Sequence, residues 1–91
     1  MAQVGMDVDV VRQIGKNLGT ASNDLATALN NINGLLTQAQ ANWRGKDASH
    51  FHDLWQGQYQ GQLKKIIQEI SDLGTAAGRN ADEQDRISNN Y

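Results

Sequence analysis

The chain contains no cysteine and no proline. The first absence removes disulfides, thiolate catalysis and cysteine-ligated zinc together. The second leaves no obligatory helix break anywhere in its length. Charge of one sign is also missing. Eight Lys+Arg stand against ten Asp+Glu, with no basic patch, and this argues against a nucleic-acid partner. Long hydrophobic runs are absent, since no segment approaches the roughly 20 apolar residues of a membrane helix. The longest uncharged stretch, Leu25 to Asn42, is broken by Thr27, Asn30, Asn31, Asn33, Thr37, Gln38 and Gln40. It reads as a helix with a neutral polar face. Residues Met1 to Asp9 have neither a basic n-region nor an apolar h-region, so no secretory signal peptide is expected there. Ninety-one residues make one domain at most. Without disulfides, such a domain is stabilised by packing or by oligomerisation.

What the chain does have is periodicity. Val11, Ile14, Leu18, Ala21, Leu25, Ala28, Ile32, Leu35 and Ala39 follow one another at alternating steps of three and four. A repeat of about 3.5 residues held this long predicts one long helix in a left-handed bundle or coiled coil. A third row runs beside it at every seventh residue: Val8, Gly15, Ser22, Leu29, Leu36 and Trp43. The stripe is therefore wide, as in a helix that meets more than one neighbour. The small residues of that row lie near its start, so close helix approach is expected there. Asp7 is placed to cap the helix, and Asp9 in its first turn suits the helix dipole.

A second stripe follows Gly45: Phe51, Trp55, Tyr59, Leu63, Ile66, Ile70, Leu73 and Ala77, widened by Leu54, Ile67 and Gly74. Its opening part steps by four residues and drifts against a strict heptad. Asp47 is the candidate cap. Between the stripes sits Trp43-Arg44-Gly45, read as the bend of a helical hairpin, with the tryptophan anchoring the bend and the glycine letting the backbone turn. The expectation is a single all-α domain over 1–91. Helix one covers about 7–41, the bend about 42–46 and helix two about 47–79. A loosely held tail of about 80–91 follows, where the apolar stripe has faded. Two such helices leave one apolar side open. Pairing of two hairpins into an antiparallel four-helix bundle closes it, and a dimer is therefore expected. The dimer and core stripe comprises Val11, Ile14, Leu18, Leu25, Leu29, Ile32, Leu36, Phe51, Trp55, Tyr59, Leu63, Ile66, Ile70 and Leu73.

Each conspicuous residue also has a plain structural reading. Glycines at 15, 19, 57, 61, 74 and 78 each cost about 1 kcal/mol inside a helix, and close contact or simple tolerance explains them equally well. His50 and His52 project about 200° apart on a helix, so they cannot share a metal as an i, i+4 pair does. No metal site and no cofactor is expected. The aromatic row Phe51, Trp55, Tyr59 continues into Leu63 and Ile66 and reads as bundle core before any ligand surface. Lys64-Lys65 reads as a solvated face. Asp82, Glu83 and Asp85 read equally as recognition acids or as solubilising charge. No catalytic residues are expected, because phosphate loop and nucleophile constellation are both missing.

Trp43 and Gly45 at the centre of the chain, with paired helices and with Ala48 and Phe51 opening the second, resemble the WXG superfamily of early-secreted-antigen-like proteins. The resemblance covers essentially the whole chain. It implies a helical hairpin that forms antiparallel four-helix-bundle dimers, either homodimers or heterodimers with a paralogue. It further implies export through a type VII (ESX) secretion system without a cleaved signal peptide, with cytoplasmic residence before export. The implied engagement is with an FtsK/SpoIIIE-type secretion ATPase, for which Trp43 is either a recognition residue or only packing. The family's export signal is Tyr-Xaa-Xaa-Xaa-Asp/Glu after the second helix. Here that region is degenerate: an acid at Asp82 puts Gly78 at the tyrosine position, and Asn80 at the tyrosine position leaves Gln84 as the acid. The last tyrosine, Tyr91, has nothing after it in this sequence. This departure favours a heterodimer exported with a signal-bearing partner. Two other readings remain at this stage. One is a structural hairpin module that is never exported. The other is a membrane-perturbing effector, against which the modest hydrophobicity and missing basic face argue.

Overall fold

The computed structural model describes residues 6–89, with side chains through Ile87. The fold is an all-α helical hairpin. Helix α1 runs Val8–Asn42. Asp7 starts it: its Oδ1 accepts the Val10 amide at 3.2 Å and its carbonyl accepts the Val11 amide at 2.9 Å. The heptad period carries α1 without interruption, and Asn33-Gly34 does not break it. Polar residues on its outer side turn inward on the helix itself. Thr20, Thr27 and Thr37 each donate a hydroxyl hydrogen bond to the carbonyl four residues back. No helix of the described residues is long and apolar enough to cross a membrane.

The second helical stretch is α2 (Lys46–Leu54), one π turn (Trp55–Tyr59) and α3 (Gln60–Asn89) in direct succession. The π turn is marked by the Gln60 amide donating to the Trp55 carbonyl, five residues back. It accounts for the drift in the second stripe. A wider turn reduces the rotation that a step of four residues brings between Trp55 and Tyr59.

Two sequence expectations are corrected here. Asp47 is not the cap of α2. Gly45 occupies that position with no side-chain hydrogen bond, and Asp47 lies inside the first turn. Helix two does not end near residue 79. The helix continues to Asn89, and Ala81 is fully buried, 0% exposed. The apolar stripe fades there, yet alanine and a long-range ion pair replace it. Residues 90 and 91, including Tyr91, lie outside the described residues.

Contacts group the chain into two compact units, and each helix contributes to both. The first unit holds residues up to Ser22 with those from Glu69 onward. Its helices run antiparallel and touch backbone to backbone. A Cβ added at Gly15 would lie 2.8 Å from the Gly74 carbonyl oxygen, and one at Gly74 would lie 2.9 Å from the Gly15 oxygen. Only glycine fits at this crossing. Ser22 and Ala81 are buried alongside. The second unit is Asn23–Gln68. It packs through large side chains, with Leu29 and Trp55 buried and Ile32, Leu36 and Leu63 half-buried. The indole N–H of Trp55 donates to Asn33 Oδ1 at 2.6 Å, so the ring is buried without leaving its donor unpaired.

The row Val8, Gly15, Ser22, Leu29, Leu36 supplies the inward line of α1, while Val11, Leu18 and Ile32 are half-buried beside it. The remaining members of the expected dimer and core stripe are divided. Ile70 is half-buried, whereas Ile14, Leu25, Phe51, Tyr59, Ile66 and Leu73 are exposed within the single chain.

Candidate functional site

The bend is built from a short loop. The Trp43 amide still donates to the Ala39 carbonyl at 2.7 Å, closing α1, and the Ser49 amide donates to the Gly45 carbonyl at 3.1 Å, opening α2. Gly45 itself has φ −127° and ψ 162°, an extended conformation open to any residue. The expectation that glycine lets the backbone turn is therefore corrected. What crowds a side chain there is the neighbouring indole, since a Cβ on Gly45 would lie 3.2 Å from Trp43 Nε1 and the ring would have to give by a few tenths of an ångström. The Trp-Xaa-Gly spacing thus reflects a ring folded over a glycine.

Trp43 does not anchor the bend by burial, for 60% of it is exposed. The energy of a buried tryptophan does not apply to it in this chain. Beside it the loop opens into a groove of about 710 Å³, with Leu36, Ala39, Trp43, Ala48 and Phe51 among its apolar lining. Gln40 and His52 supply a polar edge, where the Gln40 amide donates to His52 Nδ1 at 3.3 Å and ties the end of α1 to α2. His52 Nδ1 also lies 3.9 Å from Asp53. His50 takes no part in this groove.

The aromatic row is split. Trp55 is 4% exposed, whereas Phe51 and Tyr59 stand in solvent on either side of it. Phe51 lies stacked 6.5 Å from Trp55 and tilted 6.1 Å from Tyr59. These are favourable aromatic separations, but only Trp55 belongs to the core of the single chain.

In the first unit the export-signal region falls on α3. Gly78 and Gln84 are half-buried, and Asn80 and Asp82 are exposed. A Cβ at Gly78 would meet nothing within 4 Å. Asp82 is not a free acid: Arg12 Nη2 donates to its Oδ1 at 2.8 Å. The same guanidinium lies 3.7 Å from Asp85 and 3.9 Å from Asp9. The hydrogen bond to Asp82 raises the Arg12 pKa above its usual value, burial opposes this, and the charges of Asp82, Asp85 and Asp9 add to it. Arg12 is the residue that sequence reasoning missed. Its partner lies 70 positions away, and only the antiparallel register set by Gly15 against Gly74 could have pointed to it. A second groove of about 420 Å³ runs over this glycine crossing, with Arg12, Lys16 and Asp82 at its rim. Among the described residues no group of three His, Asp or Glu side chains could hold a metal.

No curated protein and no solved structure matches the chain. The family described as proteins of 100 residues with WXG matches residues 3–86. Its members are in general small, non-enzymatic helical substrates of type VII secretion, and they typically pair with family partners. The match takes in both helices, the bend and most of α3, and the chain therefore belongs to the WXG100 family.

Proposed function

We propose that this chain is a non-enzymatic type VII (ESX) secretion substrate, or a co-secreted adaptor, that acts as a dimer with a WXG-family partner. The family match over residues 3–86 carries the reading. The apolar side chains that each unit leaves uncovered support the dimer. Val10, Ile14, Leu73 and Ile87 are exposed in one unit, and Leu25, Leu35, Phe51, Tyr59 and Ile66 in the other. Full burial of side chains of this size is worth about 1.5–3 kcal/mol, and roughly half of that is left to gain at each of these half-exposed positions when a partner hairpin completes an antiparallel four-helix bundle. The exposed Trp43 and its groove offer a surface for a secretion ATPase or a partner, which favours recognition over packing alone as the role of Trp43.

Export of the chain is proposed to depend on a paralogue carrying the full tyrosine-acid signal, because position 78 is glycine. The test is export of the tagged chain, alone and with candidate partners, from a strain with an intact secretion system. Wild-type chain should leave the cell only with its partner. Gly78→Tyr should allow export of the lone chain, since it restores tyrosine four residues before Asp82 at a position with open space around it. Efficient export of the lone wild-type chain would refute partner dependence. Sedimentation of the purified chain addresses the dimer, and a well-folded monomer at micromolar concentration, with or without partner, would sink it.

A further inference from the structure

One residue of α1, Arg12, makes the side-chain ion pairs to the end of α3. Beyond Leu73, the large apolar side chain left in α3 is Ile87, and it is exposed. Inward contact there is made by Ala77, Gly78, Ala81 and Gln84, all small or polar. Little apolar area is available to keep these turns folded, and a helix end without such area frays. Yet Arg12 reaches across to α3, where it donates to Asp82 at 2.8 Å and lies 3.7 Å from Asp85, while Asp9 of its own helix stands 3.9 Å away. Arg12 is about one-third exposed, while the carboxylates at Asp82 and Asp85 remain more than half exposed and reachable from solvent. Asp82 is also the acid in the register that places Gly78 at the tyrosine position of the export signal.

We propose that Arg12 is an ionic latch on the C-terminal turns of α3. It holds residues 79–87 against α1 and keeps Asp82 engaged until a lysine or arginine of the export partner displaces the guanidinium. The proposal rests on the reading of this chain as one half of a dimer exported with a paralogous partner hairpin, which would supply the competing cation. The latch is intramolecular, and the competing cation must approach from the open side of Asp82. Release would free Asp82 and loosen the helix end in one step, because the same side chain does both tasks.

Amide hydrogen exchange on the full chain tests the latch without any secretion step. Arg12→Gln should speed exchange of residues 79–87 about twofold to fivefold, within what exposed ion pairs support. Amides around Leu29 and Trp55 should be unchanged, which separates release from general unfolding. Arg12→Lys should restore part of the protection, since it keeps the charge and loses the forked geometry. Asp82→Asn with Asp85→Asn should reproduce the effect, and adding Arg12→Gln to that pair should change nothing further. Unaltered exchange in Arg12→Gln, or in the double asparagine variant, overturns the latch. Partner-dependent export is then compared for wild type and Arg12→Gln. A changed export rate supports the displacement step, and an unchanged rate overturns it even where exchange shows the end released. Failure of any form of the chain to be exported would sink the secretion reading alone, and the exchange data would still decide the latch.

Discussion

The two units of this hairpin solve the same packing problem with opposite materials. One uses Gly15 and Gly74 to bring helix backbones into contact, with Ala81 and Ser22 closing the space. The other uses Leu29 and Trp55 to fill the space between helices, with Asn33 satisfying the indole. Glycine costs helix propensity and contributes no side-chain burial, so that unit depends on shape and on the Arg12 ion pairs. The aromatic unit depends on buried area. The difference teaches that a continuous heptad does not imply a uniform interface: the residue at every seventh position decides, unit by unit, what holds the helices together.

Substitutions can break this comparison. The largest effect is expected for Trp55→Ala, which removes the principal buried ring of its unit and leaves Asn33 without its donor. A loss of about 3–5 kcal/mol follows from the range for buried tryptophan. Urea denaturation of the purified chain would measure it, and a loss below 1 kcal/mol would mean that the ring is not the core of its unit. Gly74→Val comes next. The added side chain would meet the Gly15 carbonyl oxygen, and separating the backbones should cost about 1–3 kcal/mol. The same change at Gly61, where nothing lies within 4 Å, should be neutral or slightly stabilising, because valine has a somewhat better helix propensity than glycine. Equal behaviour of the two variants would remove the glycine crossing from the account.

Trp43→Ala sharpens the contrast between the two tryptophans and is expected to have the smallest effect. At 60% exposure, Trp43 should change the melting curve of the single chain by about 0.5 kcal/mol or less. Partner binding and export should suffer instead. A thermal melt of the isolated chain beside a pull-down with its partner separates the two tryptophans. A destabilisation matching that of Trp55→Ala would show that Trp43 is a packing residue after all.

Much of the fold was legible from spacing. The heptad rows located α1 to within a residue or so at each end, Asp7 was recognisable as its cap, and the family resemblance rested on Trp43 and Gly45. Less of the candidate site was legible. The role of Gly45 was misread because a glycine after a tryptophan suggests a special backbone angle, whereas the actual constraint is the ring above it. The length of α3 was missed because its last turns pack through alanine and an Arg12–Asp82 ion pair, which no local pattern links. Exposure of Phe51 and Tyr59 was hidden for a similar reason: an apolar residue on the right face is not thereby a covered one.

By itself the sequence determined that the chain is helical, where the helices start and turn, and which residues form the apolar rows. These follow from periods of three and four residues, from caps and from the lack of proline, all of which act within a few residues along the chain. Only the tertiary structure decided which row is buried, why Gly15 and Gly74 must be glycine, and that Arg12 meets Asp82. Those depend on the register and approach of two antiparallel helices. That register is set by the summed packing of side chains far apart in sequence, and so no local pattern could carry it.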